Sequence, residues 1–197
     1  MIFYPFVEPL YCEKIEKISE NNLINRIEQL KNLIGNDINL DWNCDTYNSL
    51  NSNYNILDDL TFKPLIEFVT EKVWLFSEKF GIDKNEKRNL ICSDAWFNIS
   101  KPENYQEYHV HVRSHFSAVF YLKMPKNSGN IVFRRPGSFG DMFTLDTEVF
   151  PPESCQTYII TPEVNQLLIF RSNLFHMVTK NKSNDERISI AMNFYFE

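Results

Sequence analysis

From Asn89 onward the apolar residues of this chain alternate with polar ones. Short alternating runs stand at about Leu90–Ile99, Gln106–Val112, Ser117–Lys123, Asn130–Arg135, Gln156–Thr161, Gln166–Phe170, Met177–Thr179 and Ile188–Phe196. Turn signals part them at Lys101-Pro102, Pro125 to Gly129, Pro136-Gly137 and Asn181 to Asn184. Successive side chains of a strand point to opposite faces, so each run offers one face to a core. Many short strands with such turns predict a sandwich or a closed barrel. The longest irregular piece, Pro136 to Glu153, has the length of a binding loop or lid.

The first part differs in kind. Ile2 to Val7 reads as an edge strand. Ser19-Glu20-Asn21-Asn22 opens a helix on which Leu23, Ile24, Ile27, Leu30 and Ile34 share a face, and Gly35-Asn36 stops it. Asp41 to Asn55 is a polar loop anchored by Trp42. A second helix starts between Thr61 and Pro64, since proline is tolerated where a helix's first N–H groups are unpaired. Leu65, Phe68, Val69, Val73, Phe76 and Phe80 give it a broad apolar face, and Gly81 ends it. The expectation is one domain over 1–197, with 1–88 a mainly helical support and 89–197 a β core.

At 197 residues and 43% hydrophobic composition the chain can bury a core without staples. A net charge of -6 argues against coating nucleic acid, which needs a basic face. No apolar run is long enough for a membrane span, and the N-terminus lacks the basic region of a signal peptide. Cys12, Cys44, Cys92 and Cys155 show no CxxC spacing and read as reduced thiols of a cytoplasmic protein.

Against this scaffold the histidines stand out. Tyr108 to Tyr121 holds His109, His111 and His115, and His176 follows the apolar run LLIF. Residues two apart on a strand project from one face, so His109 and His111 stand side by side with Glu107 next in the row. Two imidazoles so placed reach one metal, and His176 supplies a third ligand while open positions remain for chemistry. His115 competes for that third place, but Arg113-Ser114 looks like a turn that breaks its phase. On the last run Arg187, Ser189, Ala191 and Asn193 share a face opposite Ile188, Ile190, Met192 and Phe194. An arginine heading an interior row is costly unless an anion binds it, and guanidinium grips a carboxylate bidentately. The competing reading is a surface arginine paired with Asp185 or Glu186.

The chain resembles the 2-oxoglutarate/Fe(II)-dependent oxygenases, and within them a family of small enzymes of marine bacteria and their phages. The resemblance is carried by Trp96-Phe97-Asn98, His109-x-His111, SAVFYLKMP from Ser117 to Pro125, FRRP from Phe133 to Pro136, LLIFRSNLFH from Leu167 to His176, and ERISIAMNF from Glu186 to Phe194. It covers nearly the whole chain, Trp42 included. It implies a mainly β fold with α elements: a double-stranded β-helix, or jelly roll, with supporting N-terminal helices. It also implies Fe(II) held by His109 and His176, and 2-oxoglutarate whose far carboxylate meets Arg187 and Ser189. Tyr121, Asn98 and Asn193 are further cofactor-binding candidates. The superfamily usually shows HxD or HxE, so His111 is a departure. Either it is the third ligand, the preferred reading, or a carboxylate comes from Glu107 or Asp141.

The activity so implied is hydroxylation of a small-molecule or peptide substrate as 2-oxoglutarate is decarboxylated to succinate. Two alternatives stand beside it: a cupin-like thiol dioxygenase or isomerase without 2-oxoglutarate, and a non-catalytic ligand-binding barrel. Arg134 and Arg135, near the loop Pro136 to Pro152, hint at an acidic group on the substrate. A second copy of the chain is an open candidate partner. The expected location is cytoplasmic, in the host cell if the chain is viral.

Overall fold

The computed structural model describes residues 1, 7–16, 18, 20–34, 43, 45–52, 54–83, 88–137 and 155–197. The readings placed on 2–6, on Ser19, on Gly35-Asn36, on Trp42, on Cys44 and on 138–154, Asp141 included, lie outside the described residues. The helices are α1 (Glu20–Ile34) and α2 (Lys63–Ser77). The strands are β1 (Tyr11–Lys14), β2 (Tyr47–Asn48), β3 (Leu90–Ser100), β4 (Gln106–His109), β5 (Phe116–Lys123), β6 (Ile131–Arg134), β7 (Thr157–Ile160), β8 (Gln166–Arg171), β9 (His176–Val178) and β10 (Arg187–Phe196).

They form two antiparallel sheets, a larger one ordered β1-β8-β5-β10-β3-β2 and a smaller one ordered β4-β9-β6-β7. From β3 to β10 the described strands pass back and forth between them, each sheet taking alternate strands except that β6 and β7 pair with each other in the smaller sheet. That winding is a jelly roll, as the resemblance implied.

The helices form where the apolar spacing said they should. α1 buries Leu23, Ile27 and Leu30, and α2 buries Leu65, Val69, Val73 and Phe76 with Pro64 in its first turn. The last turn of α2 tightens into a 3-10 turn over Glu78–Phe80, and Gly81 closes it in the left-handed region at φ 78°. Both helices pack on the outer face of the larger sheet, in one core with Phe97, Ile99, Phe120 and Leu122. A second, smaller core of Tyr121, Ile131, Phe133, Leu168, Phe170 and Leu174 lies between the sheets. Alternation divides β10 cleanly: Ile188, Ile190, Met192 and Phe194 join the helix-side core, while Arg187, Ser189, Ala191 and Asn193 line a cavity between the sheets.

Some local readings need correction. Tyr11–Lys14 pairs with β8 as an edge strand that carries no clear alternation in the sequence. Part of the stretch read as a polar loop pairs into the larger sheet as β2 and continues into a 3-10 turn over Ser49–Asn51. Asn48 caps that turn by accepting a hydrogen bond from the Leu50 N–H at 2.8 Å. The run expected over Gln106–Val112 stops as a strand at His109. Among the described residues, no helix is long and apolar enough to cross a membrane.

Candidate metal and co-substrate site

His109 ends β4 and lies directly across from His176, the first residue of β9. His111 follows outside the strand, its N–H donating to the Ser172 carbonyl at 2.9 Å. One imidazole donor from each of these three residues lies within 4.8 Å of the others. The ring centroids are 4.3 Å apart for His109 and His176, and 5.2 Å for His111 and His176. The alignment of His109 with His111 is therefore made by a chain leaving its strand, not by an unbroken strand. The pairing slips between Gln106 and His109, so Gln106 lines the cavity and Glu107 is not next in the row. The Glu107 carboxylate instead accepts from Asn43 Nδ2 at 2.7 Å. His115 sits beyond a turn in which Arg113 has φ 63°; it is exposed, and its Nδ1 accepts from the Phe196 N–H. Among the described residues, no carboxylate joins the three-histidine cluster.

Each ring of the cluster is oriented through Nδ1. His109 Nδ1 donates to the Glu107 carbonyl at 2.7 Å, and His176 Nδ1 to the Leu174 carbonyl at 2.8 Å. His111 Nδ1 donates to Asn193 Oδ1 at 2.6 Å. Asn193 Oδ1 also accepts from Ser117 Oγ at 2.9 Å, and Ser117 Oγ lies 2.8 Å from Ser172 Oγ. A proton fixed on Nδ1 leaves the lone pair of the neutral ring on Nε2, the arrangement of metal-bound histidines. Burial favours the same neutral form. It lowers His109 and pushes His111 down to about 4, where the Asn193 contact opposes it in part. His176 is held well below its ordinary value by burial, then by the two neighbouring imidazoles. The donor set therefore fits a borderline divalent metal such as Fe(II).

The cavity measures about 470 Å3. Arg187 lines it and is buried, only 3% exposed. Its Nη2 donates to Ser100 Oγ at 2.8 Å and its Nη1 to the Ser128 carbonyl at 3.2 Å, contacts that fix the guanidinium plane. The adjacent acids turn elsewhere: Asp185 meets Lys123 at 2.8 Å and Glu186 meets Lys31 at 2.9 Å. Gly129 packs against the same guanidinium. A Cβ there would collide with the Thr179 carbonyl and stand 3.2 Å from Arg187 Nη1. Asn181, fully buried, donates to the Ser100 and Asp185 carbonyls at 2.9 Å and sets the approach into β10.

Ser189 and Tyr121 are cross-strand partners and share the cavity with Arg187. Burial pushes the Tyr121 phenol up and the nearby Arg187 charge opposes it, so the hydroxyl keeps its proton and can donate. Asn98 also lines the cavity and accepts from Gln106 Nε2 at 3.3 Å. Arg134 and Arg135 are not among the lining residues. Phe133 turns toward the His176 ring, 5.8 Å away, so alternation turns Arg134 to the opposite face. Ser100, Ser128, Gly129, Gln106 and Ser172 escaped the sequence reading. Only Ser100 carried a usable signal, its parity with Asn98.

Residues 94–193, half of the chain, match the model of a protein family described as "Putative 2OG-Fe(II) oxygenase". A search of curated protein sequences returns no match. Solved structures share the fold. The viral collagen prolyl hydroxylase of Paramecium bursaria Chlorella virus-1, solved with 2-oxoglutarate, has a TM-score of 0.56 at 17% identity over 93% of this chain and 95% of its own. A Trichoplax adhaerens prolyl hydroxylase, in complex with a hypoxia inducible factor peptide fragment, gives 0.62 at 10% identity over 94% of this chain and 83% of its own. HygX from Streptomyces hygroscopicus, with nickel, 2-oxoglutarate and hygromycin B bound, gives 0.58 at 10% identity over 95% and 83%.

Proposed function

Because this chain belongs to the 2OG-Fe(II) oxygenase family, we propose that His109, His111 and His176 hold its Fe(II) and that Arg187, with Ser189 and Tyr121, holds its 2-oxoglutarate. The activity is oxygenation of a substrate coupled to decarboxylation of 2-oxoglutarate: one atom of O2 enters succinate, the other enters the product, and CO2 leaves. Bound Fe(II) and 2-oxoglutarate would supply the activation of O2, which is the oxidant; the chain supplies position, charge and exclusion of water.

Each residue has a separate task. The three imidazoles offer Nε2 as neutral donors. Arg187 pairs with the far carboxylate, its plane already set by Ser100 and Ser128. Ser189 and Tyr121 offer hydroxyl donors beside it. Asn193 orients His111, and Asn98 holds Gln106 at the cavity wall. The observation that carries the reading is the shared cavity: three converging histidines and a buried arginine line one chamber. Neither the cupin-like nor the non-catalytic alternative is retained. The substrate is a small molecule or peptide entering from the cavity mouth, and the placement of Arg134 and Arg135 lends no weight to an acidic one.

Anaerobic protein mixed with Fe(II) and 2-oxoglutarate should develop the visible charge-transfer band of the chelate. Arg187→Ala should weaken 2-oxoglutarate binding about a hundredfold, since truncating one member of a buried charge pair strands the other. His176→Ala should lose the metal itself. A band of undiminished affinity in either variant would refute the assignment.

A further inference from the structure

Asp94 and Arg187 are the two charged residues among the described cavity lining, and the pairing of β3 with β10 sets them at opposite ends. β3 and β10 pair so that Arg187 faces Ser100 while Asn193 faces Asp94. The run from Asp94 to Ser100 spans roughly 20 Å at the rise of a strand. Arg187 marks the co-substrate end. Asp94 marks the metal end, because Asn193, its cross-strand partner, holds His111. Trp96, next in the Asp94 row, lies 5.5 Å from the His111 ring.

Asp94 is not part of the histidine scaffold. The three Nδ1 atoms go to Glu107, Asn193 and Leu174. The Asp94 carboxylate accepts from Ser93 Oγ at 2.8 Å, and among the described residues no cation pairs with it. The rim of the same cavity carries large apolar side chains left in water, Leu50 at 47% and Val112 at 73% exposed. A carboxylate and exposed apolar groups lining one cavity suit a ligand that is apolar along its stem and positive at its tip.

We infer that the substrate carries an ammonium or guanidinium group on an aliphatic stem, with Asp94 as the specificity-determining residue that pairs with the cation while Leu50 and Val112 cover the stem. The inference rests on the oxygenase reading of the cavity. It is opposite in sign to the acidic substrate that Arg134 and Arg135 would favour.

The test uses the chain loaded anaerobically with Fe(II) and 2-oxoglutarate. Nα-acetyl-lysine amide, Nα-acetyl-arginine amide and the uncharged Nα-acetyl-norleucine amide are titrated in, following the visible band and the heat of binding. A cationic probe should bind at least about tenfold tighter than the norleucine probe, and Asp94→Asn should erase that preference while keeping the band. Equal affinity for charged and neutral probes, or a preference that survives Asp94→Asn, overturns the inference and leaves the cofactor reading standing. Loss of the band in Asp94→Asn also overturns it, and reassigns Asp94 to the metal. Absence of the band from the unsubstituted protein removes the oxygenase assignment and this inference with it.

Discussion

His111 brings no negative charge to the metal, so its value as a ligand depends on how firmly its lone pair is aimed. That aim comes from Asn193, itself held by Ser117, with Ser172 behind, and these three side chains are buried. Partners one layer behind a metal ligand typically carry about 10–100-fold in metal affinity. Asn193→Ala should therefore weaken Fe(II) or Zn(II) binding by about that factor, read by competition with a chromogenic chelator. Asn193→Asp, which keeps an acceptor facing Nδ1, should restore most of it. Equal affinity in all three proteins would show that Asn193 does not orient the ring. Here the sequence was readable in one sense and silent in another. HxH and the distant His176 announce a metal by residue type and spacing, but the partner of His111 lies far along the chain and becomes visible only when β10 is seated beside β5.

The turns between strands do as much for the site as the strands. Residues 125–129 lead into β6, and their Ser128 carbonyl and Gly129 backbone form one wall around Arg187. Gly129 has φ 99°, a conformation that favours glycine, and a methyl there would collide with the Thr179 carbonyl. Gly129→Ala should cost about 1–3 kcal/mol of stability. It should also raise the 2-oxoglutarate concentration needed to develop the chelate band, because relief of the clash displaces the arginine. A variant with unchanged stability and unchanged affinity would remove this turn from the site. Alternation made β3, β5, β6, β8 and β10 legible to within a residue at each end, since each has one face in a core. β1 and β2 were not legible: Tyr11–Lys14 is a short edge with a half-buried pattern, and Tyr47–Asn48 is only two residues long. The break after His109 was hidden for a related reason, because periodicity survives a register slip that hydrogen bonding does not.

Across the whole molecule, the buried histidines link metal, protons and stability. Free imidazoles in an unfolded chain titrate at about 6.5, whereas burial lowers His109, His111 and His176, His111 to about 4. Between those values the unfolded chain binds more protons than the folded one. The contribution of these rings to the stability of the metal-free protein is therefore full above about pH 6.5 and is lost as the pH falls toward about 4. Thermal unfolding in chelator should show a melting temperature that drops from about pH 7 to about pH 5, and a flat profile would contradict the burial of three neutral rings. The larger sheet separates two demands placed on the chain: its outer face holds the helices, and its inner face holds the chamber. On β10 those faces belong to alternate letters of a single stretch of text. Descendants of this gene can thus rewrite Ala191 or Asn193 and leave the letters that seat the helices untouched. Loss or gain of a single codon within the strand would exchange both sets at once. New chemistry can be inherited here by substitution, and an insertion would forfeit the fold together with the site.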